Sequence, residues 1–165
     1  MVGEDIPRCA AMVQGHTLFE AYGLVPQRLE KELWAGLSRG DGLLVAVACG
    51  HPAGFAWYLE RGCFGRSAYL RLLVVESGRV GQGIGRRLME EVEARAFARA
   101  EDLFLLVNVH NAGAQAFYQR LGYACVGKLL DYAGPGLHEY IYRKRRPAGP
   151  CSGENLHPPQ ANGGR

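Results

Sequence analysis

The sequence lacks the features of membrane, secreted and metal-binding chains. No window approaches the ~20 consecutive apolar residues of a membrane helix. The first ten residues carry Glu4 and Asp5 with no apolar stretch behind a basic start, which predicts no secretory leader. The five cysteines, Cys9, Cys49, Cys63, Cys125 and Cys151, are odd in number and lack the paired short spacings of a disulfide framework or a zinc site. Reduced thiols, a cytoplasmic location, no metal and no membrane partner are the expectation. Internal repeats and dense acidic clusters are also missing.

What is present is an ordinary globular composition. The 165 residues are 48% hydrophobic and 21% charged, enough for one domain with a real core and too few for a second. The net charge of +3 is unevenly placed. Residues 143–165 hold Arg143, Lys144, Arg145, Arg146 and Arg165 against Glu154 alone, a balance of +4, which leaves the body at −1. A nucleic-acid partner is therefore not expected for the body, and an RNA contact would rest on the basic run alone. The Pro, Gly, Asn and Ser content after Tyr142 reads as a flexible tail, so the domain is assigned to 1–142 and the tail to 143–165.

Periodicity gives the order of elements. Ile6 to Ala21 and Pro26 to Leu37 read as amphipathic helices, the second with Leu29, Leu33 and Leu37 on one face. Leu43 to Cys49, Ala53 to Glu60 and Ser67 to Val75 read as a three-strand meander broken at Gly50-His51-Pro52. Gly78 to Gly85 leads into a helix from Arg86 to Ala100, with Ile84, Leu88, Val92 and Ala96 on its apolar face. Leu103 to Val109 is a strand. Ala112 to Leu121 is a helix with Asn111 as N-cap and Gly122 past its end. Tyr123 to Tyr132 and Leu137 to Tyr142 close the fold as a strand pair across Ala133-Gly134-Pro135-Gly136.

The turn Val80-Gly81-Gln82-Gly83-Ile84-Gly85-Arg86 joins an apolar strand to an amphipathic helix, so its amides can converge on an anion at the helix N-terminus. Glycine there allows positive φ and close approach of backbone to ligand. A Walker loop would need Lys and then Ser or Thr after the last glycine, where Arg86-Arg87 stands. A dinucleotide fingerprint would need glycine at Arg86. A plain helix-entry turn is the remaining alternative.

Two stretches together resemble the GNAT superfamily of N-acetyltransferases. One is Leu73-Val74-Val75 followed by Gly81-Gln82-Gly83-Ile84-Gly85, which departs from the family pattern only in having Val80 where a basic or Gln residue stands. The other is Asn111-Ala112-Gly113-Ala114-Gln115-Ala116-Phe117-Tyr118-Gln119-Arg120-Leu121-Gly122-Tyr123, which lies about one βα unit later. The resemblance covers about Ile6 to Arg143. It implies an α+β single domain whose central, mostly antiparallel twisted sheet has a V-shaped splay and is flanked by about four helices. The family's first strand precedes a phrase like Glu4-Asp5-Ile6-Pro7, so that strand is expected to be truncated or absent, with the exposed sheet edge available for a homodimer.

The implied activity is acetyl transfer from acetyl-CoA to a primary amine by direct attack in a ternary complex. Leu73, Val74 and Val75 would hold the thioester carbonyl, and Gly81, Gln82, Gly83, Ile84, Gly85 and Arg86 the pyrophosphate, with Arg79 or Arg87 also available. Asn111, Ala114 and Tyr118 complete the CoA site, and Tyr118 is the implied general acid, with a core tyrosine as the alternative. Glu76, just past the central strand, is the candidate base, acting directly or through water, unless it is a solvated turn carboxylate. His110, Asp131, His138 and Glu139 are the other candidates. Leu106 stands where ribosomal-protein N-terminal acetyltransferases carry Glu, which argues against that subfamily. Phe19, Tyr22, Trp57, Tyr58, Tyr69 and Tyr132 are candidates for an aromatic pocket holding a small-molecule or peptide amine, or else for core. A non-catalytic acyl-CoA-binding regulatory module is the second functional reading.

Overall fold

A computed structural model describes residues 1–147. Six strands form one sheet in the order β1-β2-β3-β4-β6-β5: β1 Gly42–Ala48, β2 His51–Cys63, β3 Ser67–Val75, β4 Asp102–Asn108, β5 Ala124–Gly134 and β6 Leu137–Arg145. All neighbours are antiparallel except β3 and β4. The helices among the described residues are α1 Ile6–Ala11, α2 Thr17–Ala21, α3 Pro26–Arg39, α4 Ile84–Phe97 and α5 Ala112–Arg120. No helix of these residues is long and apolar enough to cross a membrane.

The sheet separates two cores. On one side Ile6, Cys9, Leu29 and Leu33 pack on Phe55, Trp57 and Val74. On the other, Leu88, Met89, Val92 and Ala96 pack on Ala56, Tyr58, Leu70, Leu103 and Leu105. Strand alternation makes this possible, since Trp57 and Tyr58 are neighbours in β2 and enter opposite cores. Helix α3 starts on Pro26 at its first turn and ends at Gly40 with φ +79°, the two residues best suited to those positions. Gly36 lets α3 lie close on β2, since a Cβ there would stand a tight 3.0 Å from the Trp57 ring.

The feature that creates the site is the break between β3 and β4. Their pairing is limited to Ala68, Tyr69 and Leu70 against Leu103, Phe104 and Leu105. Beyond Leu70, Leu72–Val75 pair with β2 alone, and Leu106, Val107 and Asn108 pair with β6 alone. The expected splay is therefore present, bounded by the C-terminal ends of two parallel strands.

Three expectations are corrected. The helix expected over Ile6–Ala21 is two short helices, because Gly15 takes φ +74° and His16 is extended between them. β2 runs on to Cys63 and pairs there with Ser67, well past Glu60. The domain does not end at Tyr142: Arg143, Lys144 and Arg145 are strand residues paired with β4, and residues 143 also with β5. Their charges pair within the fold's surface, Arg143 on Asp102 at 2.9 Å, Lys144 on the part-buried Glu93 at 2.6 Å and the exposed Arg145 on Glu101 and Asp102. Arg146 donates to the Phe97 carbonyl at 3.0 Å. The basic run thus ties β6 to α4 and β4, with Arg145 and Arg146 exposed at the surface. The rest of the expected tail, 148–165, lies outside the described residues. No strand precedes Gly42 among those residues, and β1 forms a sheet edge.

Candidate active site

The splay opens into a cleft of about 950 Å³ that runs between the glycine turn, the ends of β3 and β4, α5, α2 and the β5–β6 hairpin. Its size lies at the upper end of the range of ligand sites, large enough for an extended ligand.

One wall is built for an anion. Gly81 and Gly83 hold φ of +85° and +78°, and a Cβ built on either would meet nothing within 4 Å, so the turn is an open cradle. The first i to i−4 bond of α4 runs from Arg87 N–H to the Gly83 carbonyl at 3.1 Å. The Ile84, Gly85 and Arg86 amides precede it and are left without helical acceptors at the positive end of the helix dipole. Arg79, Arg86 and Arg120 line the same end of the cleft. Gln82 stands apart from the cleft lining: its side chain folds back to the Gly78 carbonyl, and its N–H donates to the Arg79 carbonyl.

The central strand supplies a second set of donors. Glu76 N–H donates to the Ala53 carbonyl of β2. Because amides alternate in direction along a strand, those of Val75 and Leu73 point the other way, into the splay where β4 has parted. Leu73, Val74 and Val75 all line the cleft.

Helix α5 brings a phenol to the same space. Asn111 Oδ1 accepts from Ala114 N–H at 3.0 Å and so caps the helix, while Asn111 and Ala114 both face the cleft. Gln115 ties the helix back to the Asn108 and Val109 carbonyls. Tyr118 is 8% exposed and lines the cleft, and its hydroxyl has no hydrogen-bond partner among the described residues. Burial pushes its pKa well up, so the phenol stays protonated at neutral pH.

The expectation for Glu76 is corrected. Its carboxylate lies outside the cleft, held by Arg8 at 2.6 Å and Arg79 at 2.9 Å, and lines a separate small hollow with Arg8 and Met12. A carboxylate fixed between two guanidiniums is a poor base. Asp131 and His138 are also absent from the cleft and bond to one another in the hairpin, and His110 does not line it either. Glu139 does. Only 5% exposed, it accepts from the Tyr22 hydroxyl and from Asn108 Nδ2 at 3.4 Å, and Asn108 Nδ2 also donates to Tyr22 Oη at 2.9 Å. The other end of Asn108 accepts the His110 amide at 2.9 Å, which fixes the orientation of the cluster. Burial raises the Glu139 pKa above the usual carboxylate range, and the Tyr22 and Asn108 hydrogen bonds oppose that rise. Tyr22 is pushed up by burial and by the facing carboxylate.

Phe19, Tyr22, Trp57, Tyr69 and Tyr132 line the cleft as expected. Tyr58 does not, because its position in β2 sends it into the opposite core. Tyr69, its pKa pushed up to about 12 by burial, lies within electrostatic reach of Glu139, Arg71 and Tyr132. Sequence reasoning missed Asn108, whose one signal was a polar residue ending an apolar strand, and Arg120 and Phe117, which stood inside the Asn111 to Tyr123 stretch. No cluster of metal-ligating side chains occurs among the described residues.

Comparison with known proteins agrees with this geometry. Residues 12–123 match the model of the acetyltransferase (GNAT) family. A blasticidin-S acetyltransferase of Streptomyces morookaense is 32% identical over 97 residues, covering 59% of this chain and 71% of that protein. The fold matches a ribosomal-protein-alanine N-acetyltransferase from Brucella melitensis with a TM-score of 0.71 at 22% identity, over 88% of this chain and 97% of that one. It matches an aminoglycoside 6'-N-acetyltransferase complexed with coenzyme A with a TM-score of 0.70 at 19% identity, over 87% and 93%. The chain belongs to the GNAT family of N-acetyltransferases.

Proposed function

We propose that this enzyme transfers the acetyl group of acetyl-CoA to a primary amine by direct attack in a ternary complex, with Tyr118 as proton donor and Glu139 as the acceptor-side base. The observation that carries the reading is that a protonated phenol and a carboxylate without a cationic partner line one cleft, beside strand amides left unpaired by the splay.

Acetyl-CoA supplies a thioester, whose carbonyl carbon accepts the amine and whose sulfur leaves. The open cradle at Gly81 and Gly83, the free amides of Ile84 to Arg86 and the Arg79, Arg86 and Arg120 side chains fit its phosphates. Leu73 and Val75 N–H groups face the position where negative charge develops on the carbonyl oxygen, and being fixed by the sheet they need no reorganisation. An alkylamine is protonated at neutral pH, near 10.4 for a lysine-like group, and must lose a proton before attack. Glu139 takes that proton, and Tyr22 and Asn108 hold its carboxylate in place. Tyr118 gives its proton to the departing sulfur as the carbon–sulfur bond breaks, and the second amine proton, made acidic by formation of the carbon–nitrogen bond, returns to the Tyr118 oxygen, so that a neutral amide and the CoA thiol leave and the phenol is restored.

The acceptor is a small-molecule or peptide amine within an aromatic wall. The free thiols Cys9, Cys49, Cys63 and Cys125 fit a cytoplasmic location, and pairing of two copies along the β1 edge would be read by sedimentation. The test is turnover: CoA thiol release with acetyl-CoA and a panel of amines, for wild type and Tyr118→Phe. Amine-dependent release that falls in the variant supports the enzyme. CoA binding without release on any amine supports the acyl-CoA-binding module instead.

A further inference from the structure

We infer that the acceptor carries an anionic group, a carboxylate or its equivalent, at the end remote from its amine, and that Arg71 and Arg28 recognise it. The inference rests on the reading that the amine is held at Glu139. Arg28, Glu32 and Arg71 all line the cleft, on α3 and β3, together with Trp57, Tyr69 and Glu139. Glu32 lies between the two guanidiniums, receiving Arg28 Nε at 2.9 Å on one oxygen and an Arg71 terminal nitrogen at 2.8 Å on the other. The trio carries a net charge of +1.

Donors remain. Arg71 uses one N–H on Glu32, and Arg28 uses two, on Glu32 and the Gly23 carbonyl at 3.3 Å. A guanidinium has five, so both retain N–H groups for a ligand. Arg71 is also held flat, its guanidinium carbon 4.2 Å from the Trp57 ring centroid, so little of its freedom is left to lose on binding. Trp57 is itself fixed, being 1% exposed with its indole N–H on Asp41 at 2.9 Å. The pole of opposite sign is Glu139, and Tyr69 lies within electrostatic reach of both it and Arg71. A cleft with a carboxylate at one station and two half-exposed guanidiniums at another is complementary to a zwitterion, such as an amino acid, a short peptide or an amino-bearing acid, and less so to a simple polyamine.

The test is calorimetric titration of the CoA-saturated protein with glycine, glycylglycine and triglycine, each against its C-terminal amide, so that binding is read without turnover. The wild type is expected to bind at least one acid about 10- to 100-fold more tightly than its amide, the range for a charged hydrogen-bonded contact. In Arg71→Gln that ratio falls to about one, and Arg28→Gln reduces it. Equal affinity of every pair in the wild type, no binding of any acid, or a loss in Arg71→Gln of the same size for acid and amide would overturn the inference. Turnover of the amides by the wild type, followed separately, tests the proposed function itself, so the two can fail independently.

Discussion

Replacing Glu139 by Gln separates its chemistry from its contribution to the fold. Among the described residues the carboxylate faces two hydrogen-bond donors, Tyr22 and Asn108, and no cation, while burial opposes its charge. The amide keeps an oxygen to accept those bonds but cannot take a proton from the acceptor. Loss of a general base costs roughly 10²- to 10⁴-fold in kcat, about 3–5 kcal/mol of barrier. The pH dependence has a defined sign. The ionised form is the base and its pKa is raised in the folded protein, so the acid limb of kcat lies above the ordinary carboxylate range and disappears in the variant. A carboxyl group raised on folding contributes stability below its unfolded pKa and loses it as pH rises through the folded value. At pH 7 the wild type therefore carries a cost that the amide avoids. Glu139→Gln should be at least as stable as wild type at pH 7, with a Tm no lower. Thiol-release kinetics from pH 5 to 9 with matched thermal melts read both effects. A kcat within about threefold of wild type, or an acid limb that survives the substitution, would refute the assignment.

Tyr118→Phe removes the proton donor and keeps the ring, so kcat should fall by about 10² or more with acetyl-CoA affinity within a few-fold, measured by kinetics and titration. Gly83→Ala places a Cβ at φ +78°, a strain of about 1–2 kcal/mol, in the phosphate cradle, and should raise the KM for acetyl-CoA at least tenfold while kcat at saturation changes little. Lys144→Met leaves the part-buried Glu93 without its ion-pair partner and should cost about 1–3 kcal/mol in urea unfolding, the cost of leaving such a group unsatisfied. The Lys144→Met, Glu93→Met double variant should recover most of that loss.

The parts legible in the sequence are those whose geometry is local. The glycine turn and the Asn111 cap each act through neighbours within a few residues, so their spacing announced both the anion cradle and the helix that carries Tyr118. Glu139 stood among the candidate bases, but nothing local set it above Glu76. Glu139 meets Tyr22 across 117 residues of sequence and Asn108 across 31, and no periodicity encodes that meeting. Glu76 was nearer the central strand in sequence, yet its environment was decided by Arg8, 68 residues away. The basic run misled for the same reason: composition marks Arg143 to Arg146 as a tail, whereas Arg143 to Arg145 are the last residues of β6, paired with β4 and facing Asp102, Glu93 and Glu101.

The central claim is that the splay between β3 and β4 is an acetyl-transfer site. Its most direct test is incubation of the wild type with acetyl-CoA and the amine panel, with CoA thiol counted by absorbance and acetylated amine by mass spectrometry. The account predicts amine-dependent turnover with one acetylated amine for each thiol released. Thiol release that is independent of amine, or CoA binding without release on any amine, would contradict it.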